Sequence, residues 1–233
     1  MKISIVIPVY NEARTVKQVV ENVQKASLGF DAEREIIIVD DASIDETPRI
    51  IKSLAGIRSD RLPVNQGKGA AVKRGFELAT GDIVLIQDAD LEYDTNDYEK
   101  LFHPIISGRV DVVFGNRFHG EEHTVIYFRN FVGNKFLTFV SNIFTGLNLG
   151  DMEVGYKAFR KEVVDSFKRK LISKRFGIEP EMVARVAHHK PKWRICEVPV
   201  NYYGRTYEEG KKIHTWDGIK ALFAIVYFNV VRR

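Results

Sequence analysis

The 233-residue chain has one cysteine, two tryptophans and three methionines, and its 35 basic residues barely outnumber its 31 acidic ones. The lone thiol, Cys196, excludes an internal disulfide and suits a reducing compartment, where it serves as a small buried hydrophobe. A net charge of +4 is too slight to argue for a nucleic-acid partner. Long apolar runs are also missing. A membrane span needs about 20 apolar residues, and the longest candidate, "ALFAIVYF" at 221–228, has eight. The opening "MKISIVIPVYNE" turns polar too soon for a signal peptide. These absences predict a cytoplasmic chain that does not cross a bilayer, which leaves open that it lies on one.

What is present suffices for one large core or two small ones: 45% of residues are hydrophobic and 28% charged. "KISIVIP" (2–8) is a short apolar run that "VYNEAR" breaks. Val16, Val19, Val20 and Val23 then follow at i, i+3, i+4, i+7, one face of a helix. "EIIIVDD" (35–41) predicts a strand buried on both faces. Ile50, Ile51 and Leu54 mark a helix opened by Thr47 and Pro48. "NQGKGAAVKRGFELATG" (65–81) predicts a Gly-rich turn, a helix and a Gly stop. "DIVLIQD" (82–88) predicts a third strand, "TNDYEKLFHPIIS" (95–107) a helix and "VDVVFGNRF" (110–118) a fourth strand. This alternation predicts an α/β fold, an open, mostly parallel sheet flanked by helices, with ligands at the carboxyl ends of the strands. "PVYNE" (8–12), "DDAS" (40–43) and "DADLE" (88–92) sit at three such ends and should converge on one crevice.

From Arg117 the texture changes. "TVIYFRNFVGNKFLTFVSNIFTGLNL" (124–149) is rich in Phe, and its apolar residues cover most of a helix. A helix at "EPEMVARVAHHK" (179–190) and a strand at "WRICEVPVNYY" (193–203) follow; the polar loop "GRTYEEGKKIHTWDG" then leads to an apolar C-terminal helix. One domain is expected, with residues 1–118 as a nucleotide-binding half and 119–233 doing something else. His188 and His189 are adjacent, so they diverge on a helix and cannot chelate together. Trp193 and Trp216 read as core or interface residues.

The stretch "IVLIQDADLEYD" (83–94) ends an apolar strand on Asp88, Asp90 and Glu92. In an extended backbone these alternate positions point the same way. Three carboxylates on one side repel unless a cation sits among them; a solvated acidic turn is the plainer alternative.

In order, "PVYNE", "VDDAS.D.T", "NQGKGAA", "QDADLE", "GNRF", "DMEVGYKAFR" and "YGRTYEEGKK" resemble the motifs of family 2 glycosyltransferases of the GT-A (Rossmann-like) fold. Within that family the chain is most similar to polyprenyl-phosphate sugar synthases of the dolichyl-phosphate mannose or glucose type. The resemblance covers nearly the whole chain and implies a nucleotide-sugar donor, UDP- or GDP-hexose, bound around Pro8, Tyr10, Glu12, Asp40, Asp41, Lys68 and Ala89. It also implies that Asp88, Asp90 and Glu92 are the metal signature for Mg²⁺ or Mn²⁺. Hard oxygen ligands suit such an ion, which neutralises the leaving diphosphate. "NQGKGAA" lacks the Walker spacing; its glycines would let the backbone approach the donor, with Lys68 either a nearby charge or a solvated lysine. The resemblance places Arg117 and Arg205 near donor and acceptor phosphates, with Lys211 a further acceptor cation and Lys212 solvated. Asp151 is a candidate general base or an acceptor-positioning residue.

The Phe-rich segment at 127–147 and an apolar tail ending in Arg232 and Arg233 suit a protein peripheral to the cytoplasmic face of a membrane. Burial of the Phe-rich segment against the sheet would use the same residues. The implied activity is metal-dependent, inverting transfer of mannose or glucose to a polyprenyl phosphate. Its rivals are transfer to a saccharide or protein hydroxyl, a nucleotidyltransferase and a binding module with a dead site. "PVYNEA" after the first strand, where a phosphate-gripping loop would be expected, argues against the nucleotidyltransferase, and the intact acids argue against the dead site.

Overall fold

The computed structural model describes residues 1–120, 127–205 and 215–232. Among these, seven strands form one sheet: β1 (Lys2–Val9), β2 (Glu33–Asp40), β3 (Arg58–Arg61), β4 (Ile83–Ile86), β5 (Val112–Asn116), β6 (Lys157–Arg160) and β7 (Ile195–Pro199). Their spatial order is β3-β2-β1-β4-β6-β5-β7, and every pairing is parallel except the two that β6 makes. The chain builds outward from β1 to β2 and β3, then returns to lay β4 on the other side of β1. This reversal opens a crevice at the carboxyl ends of β1 and β4, where open α/β sheets bind ligands.

The apolar runs of β1, β2 and β4 are continuous because helices cover both faces of the sheet. Ile5, Ile37, Ile38 and Leu85 are wholly inaccessible. Of the helices α1 (Val16–Lys25), α2 (Thr47–Ser53), α3 (Lys68–Leu78) and α4 (Tyr98–Ile106), the first buries the valine face expected of it. The strand expected over 110–118 is β5, and the one expected over 193–203 shortens to β7. Two strands escape periodicity altogether. β3 is the edge strand "RSDR", with no apolar residue, and β6 is four residues long.

β6 matters most for the site. It is inserted antiparallel between β4 and β5, so the residues preceding it reach the same sheet edge as those following the parallel strands. β7 pairs parallel with β5 and delivers its own following residues there too. Residues from 1–118 and from 119–233 therefore share one sheet and one core.

The remaining helices are α5 (Phe128–Thr145), α6 (Lys161–Phe167), α7 (Ile178–Ala187) and α8 (Thr215–Val226), the last running into a π-helical turn at Tyr227–Val231. α5 is inside out. It buries Leu137, Thr138, Ser141 and Thr145, and it exposes Phe128, Val132, Phe136, Phe139 and Ile143, spaced 4, 4, 3 and 4 residues along one face. The buried hydroxyls are satisfied: Thr145 donates to the Ser141 carbonyl at 2.8 Å, and Thr138 accepts the Met152 N–H at 3.1 Å. Burial of the phenylalanines against the sheet is thus corrected for this stripe.

Candidate active site

A cavity of about 430 Å³ opens at the carboxyl edge, lined by Pro8, Tyr10, Glu12, Asp41, Lys68, Asp88, Ala89, Asp90, Glu92, Arg117 and Arg205 among others. The three strand-end loops each hold one non-glycine residue in the left-handed region: Asn11 at φ 51°, Ala42 at 59° and Leu91 at 63°. Such residues cost about 1 kcal/mol or more each and cluster at functional sites.

The acids do not continue the strand. β4 stops at Ile86, and the left-handed Leu91 turns the chain between Asp90 and Glu92. The extended arrangement expected of them is corrected: the chain turns, and the three carboxylates take different partners, with Asp90 and Glu92 sharing Arg205. Asp88 Oδ1 lies 2.8 Å from Lys68 Nζ, whose other partner is Glu179 Oε1 at 2.9 Å. Burial alone would lower the Lys68 pKa, but Asp88 and Glu179 outweigh it and hold the ammonium well above its ordinary value. Lys68 is a fixed cation, not a solvated one. Glu92 accepts the Tyr202 hydroxyl at 2.5 Å and the Arg205 backbone N–H at 3.0 Å. The Arg205 guanidinium stands among three acids, 3.5 Å from Glu12, 3.6 Å from Asp90 and 3.4 Å from Glu92. These are ion pairs rather than close hydrogen bonds.

Arg205 is thus a protein-borne cation among the carboxylates, yet it does not satisfy them. Burial, with Asp88 and Glu92 nearby, pushes the Asp90 carboxyl up to about 7 against the pull of Arg205. Hard oxygens short of positive charge fit a divalent cation, and Asp88 and Asp90 would hold it. Mg²⁺ takes one or two carboxylates and leaves its other positions to water and phosphate. Glu92, committed to Tyr202 and Arg205, does not fit that role. Among the described residues no three acids are grouped to hold an ion by themselves.

Asp151 is 0% exposed and bonded on both oxygens. Arg117 donates to it from Nε and Nη2, each at 2.7 Å, and Asn134 adds a bond at 3.2 Å. Burial would raise its pKa, but Arg117 overrides this and holds the carboxyl below its usual range. A sealed, saturated carboxylate is a poor proton acceptor. Its geometry is that of a residue positioning Arg117, whose guanidinium also lies 5.2 Å over the Tyr202 ring.

Asp40 and Asp41 part company. Asp40 is paired with Arg61 at 2.7 Å and accepts the Ser43 N–H, and the cavity wall is formed without it. Asp41 lines the cavity and accepts the N–H groups of Gln66 and Gly67 at 2.8 and 2.6 Å, tying down the Gly-rich turn. The glycines of that turn serve a protein contact. A Cβ on Gly67 would stand 2.6 Å from the Lys174 carbonyl oxygen, and one on Gly69 2.4 Å from that of Ser173. They let α3 start against the 173–175 backbone, and Gly67 also lines the cavity. Lys211 lies outside the described residues.

Several wall residues were not singled out from the sequence. Glu153 and Gly155, within the motif "DMEVGYKAFR", arrive through antiparallel β6, Tyr202 follows β7, and Glu179 begins α7, a segment legible only as a helix. Gly155 packs so tightly that a Cβ there would stand 2.2 Å from Asp88 Oδ2.

Comparison with known proteins agrees with this geometry. Residues 4–167 match the family model described as Glycosyl transferase family 2. The chain is 28% identical to a UDP-N-acetylglucosamine–dolichyl-phosphate N-acetylglucosaminyltransferase of Methanococcus voltae, over 98% of this chain and 96% of that protein. It is 29% identical to the glycosyltransferase AglD of Haloferax volcanii, over 87% of this chain but 33% of the relative. An undecaprenyl-phosphate 4-deoxy-4-formamido-L-arabinose transferase of Proteus mirabilis is 31% identical over 71% of this chain and 51% of its own length. The chain thus spans about a third of the Haloferax relative and half of the Proteus one. Among solved structures, the glucosyl-3-phosphoglycerate synthase of Mycobacterium tuberculosis, crystallised with Mn²⁺, UDP and phosphoglyceric acid, superimposes with a TM-score of 0.73 at 20% identity. That match covers 98% of this chain and 78% of the neighbour. The chain belongs to glycosyltransferase family 2 and has the GT-A fold.

Proposed function

We propose that this family 2 glycosyltransferase moves a hexose, mannose or glucose, from a UDP- or GDP-sugar to a polyprenyl phosphate, with inversion at the anomeric carbon. The observation that carries this is the contrast between Asp151, sealed and saturated, and the guanidinium groups of Arg117 and Arg205, which line the cavity. A hydroxyl acceptor must lose a proton as it attacks and needs a positioned base. A phosphate monoester, with a second pKa near 6, is already largely dianionic at neutral pH. It needs cations to dock it beside an anionic donor, and Arg suits bidentate phosphate contacts.

In this reading a phosphate oxygen attacks the anomeric carbon from the face opposite the nucleoside diphosphate, forming one C–O bond as the other breaks. Arg117, oriented by Asp151, and Arg205 hold the acceptor phosphate; Lys68 and the turn anchored by Asp41 stand on the donor side. A bound Mg²⁺ or Mn²⁺, held by Asp88 and Asp90, would supply positive charge to the departing diphosphate. The names of the Methanococcus and Proteus relatives, which pair a sugar with dolichyl or undecaprenyl phosphate, support this acceptor class.

An amphiphilic acceptor also accounts for the inverted α5. α5 packs against α8, where Phe223 is 72% exposed, and exposed apolar surface of this kind marks interaction sites. We assign this surface to peripheral contact with the cytoplasmic face of a membrane. The test incubates the protein with UDP-glucose, UDP-N-acetylglucosamine or GDP-mannose, Mg²⁺ or Mn²⁺, and vesicles with or without polyprenyl phosphate. A lipid-linked sugar formed only with the phosphate is expected. Binding of UDP or GDP without transfer from any of the three donors would overturn the proposal.

A further inference from the structure

Two carboxyl groups on the cavity wall have no part in the chemistry above. Glu179 is 4% exposed, and one oxygen is spent on Lys68 while the other, Oε2, has no hydrogen-bond partner among the described residues. Glu153 Oε1 is likewise buried and unpartnered. Both residues line the cavity, on the side where Lys68 and Asp88 meet. Buried acceptors left unpaired cost roughly 1–3 kcal/mol each and call for a partner. Among the described residues none is hydrogen-bonded to these two oxygens. Lys68 is already held by two carboxylates, and Lys157, fully buried, gives its ammonium to the Val154 carbonyl.

We propose that Glu153 and Glu179 form the subsite for the transferred sugar, binding a neutral pyranose through its hydroxyl or amide hydrogens and rejecting a hexuronate. This rests on the glycosyltransferase reading and refines it. A carboxyl oxygen seeks a hydrogen-bond donor, and each pyranose ring carries several. A sugar carboxylate would instead face Glu179 and Asp88, whose shared cation, Lys68, is already paired with both. A site built to hydrogen-bond a hydroxyl discriminates strongly against an analogue lacking it, because its own polar groups are then left unpaired. Glu153 and Glu179 are specificity residues in this assignment, not proton carriers.

The test measures dissociation constants of the full chain and of Glu153→Gln and Glu179→Gln for UDP, GDP, UDP-glucose, UDP-N-acetylglucosamine, GDP-mannose and UDP-glucuronate, with thermal midpoints alongside. The wild type is expected to bind a neutral nucleotide-sugar at least tenfold more tightly than its free nucleoside diphosphate, and UDP-glucuronate no better than UDP. Glu153→Gln should lose most of that sugar-dependent gain while its affinity for the free nucleotide stays within twofold, and Glu179→Gln, which also loosens Lys68, should lose more affinity for the nucleotide-sugar than for the free nucleotide. Glu153→Gln should also fold with an unchanged or higher midpoint, because it removes an unpaired buried acid. Equal losses for nucleotide and nucleotide-sugar, or glucuronate bound as tightly as glucose, would overturn the assignment. So would turnover falling a hundredfold in Glu153→Gln at unchanged donor affinity, which is the signature of a general base. Failure of the wild type to bind any nucleotide would overturn the parent glycosyltransferase reading instead.

Discussion

At the scale of single residues, the site is a set of charges whose partners decide what each can do. Asp90 is pushed up to about 7 by burial and its acidic neighbours, and Asn keeps its shape while removing its charge. Asp90→Asn should lower metal-dependent transfer at least a hundredfold with the thermal midpoint unchanged or raised; wild-type rates in the purified variant would refute a metal role for Asp90. Asp151→Asn should behave differently. Arg117 would keep its buried charge without a counter-ion, and breaking such a pair costs about 3–5 kcal/mol. Stability should fall sharply in urea while the pH–rate profile of the surviving transfer keeps its shape; loss of the acidic limb, where the rate rises with pH, would restore Asp151 as the base. Glu153 gives a pH signature. Burial, reinforced by Glu179, pushes its carboxyl from 4.5 up to about 8. Between those values the native chain keeps a proton that the unfolded chain releases, so its contribution to stability falls as pH rises through the window and levels off above it. Urea unfolding at about pH 5 and pH 8.5 should show a smaller loss in Glu153→Gln than in the wild type. Equal losses would contradict the raised pKa.

At the scale of elements, the sequence revealed those whose periodicity is set by the core and concealed those set by neighbours. The valines of α1 and the apolar runs of β1, β2 and β4 were legible because burial alone dictates them. β3 and β6 were not, since an edge strand without apolar residues and a four-residue insertion carry no period. The acids at 88–92 were legible as a charged site, extended or in a turn; the left-handed Leu91 that decides for the turn leaves no mark in the residue pattern. α5 was legible as an apolar helix but not as an inverted one; the side that faces inward is the one where Thr138 and Thr145 find local partners. Removing the C-terminal segment would not probe the membrane face cleanly, because Ala221 and Ile225 of α8 belong to the core. Phe139→Glu combined with Phe223→Glu changes only exposed positions. This double variant should keep its thermal midpoint within a few degrees and lose about tenfold in co-sedimentation with anionic vesicles. Undiminished sedimentation would remove these helices from the membrane contact.

At the scale of the whole molecule, one sheet gathers donor-side groups from β1, β2 and β4 and later groups from β6 and β7 onto one edge. The convergence of the first three strand ends was readable from the motif order. The contributions of Glu153, Glu179 and Tyr202 depend on the direction and placement of β6 and β7, which pairing decides and residue order does not disclose. The resulting cavity sets the guanidinium groups of Arg117 and Arg205 among its carboxylates and seals Asp151 against Arg117 and Asn134. In the reading proposed above this amounts to a choice of nucleophile: a phosphate already ionised, rather than a hydroxyl that needs deprotonation. The most direct test offers the protein two acceptors of equal chain length in the same vesicles, a polyprenyl phosphate and the corresponding polyprenol, with the preferred nucleotide-sugar and Mg²⁺. The account predicts glycosylation of the phosphate and none measurable of the alcohol; equal or preferential transfer to the alcohol would contradict it.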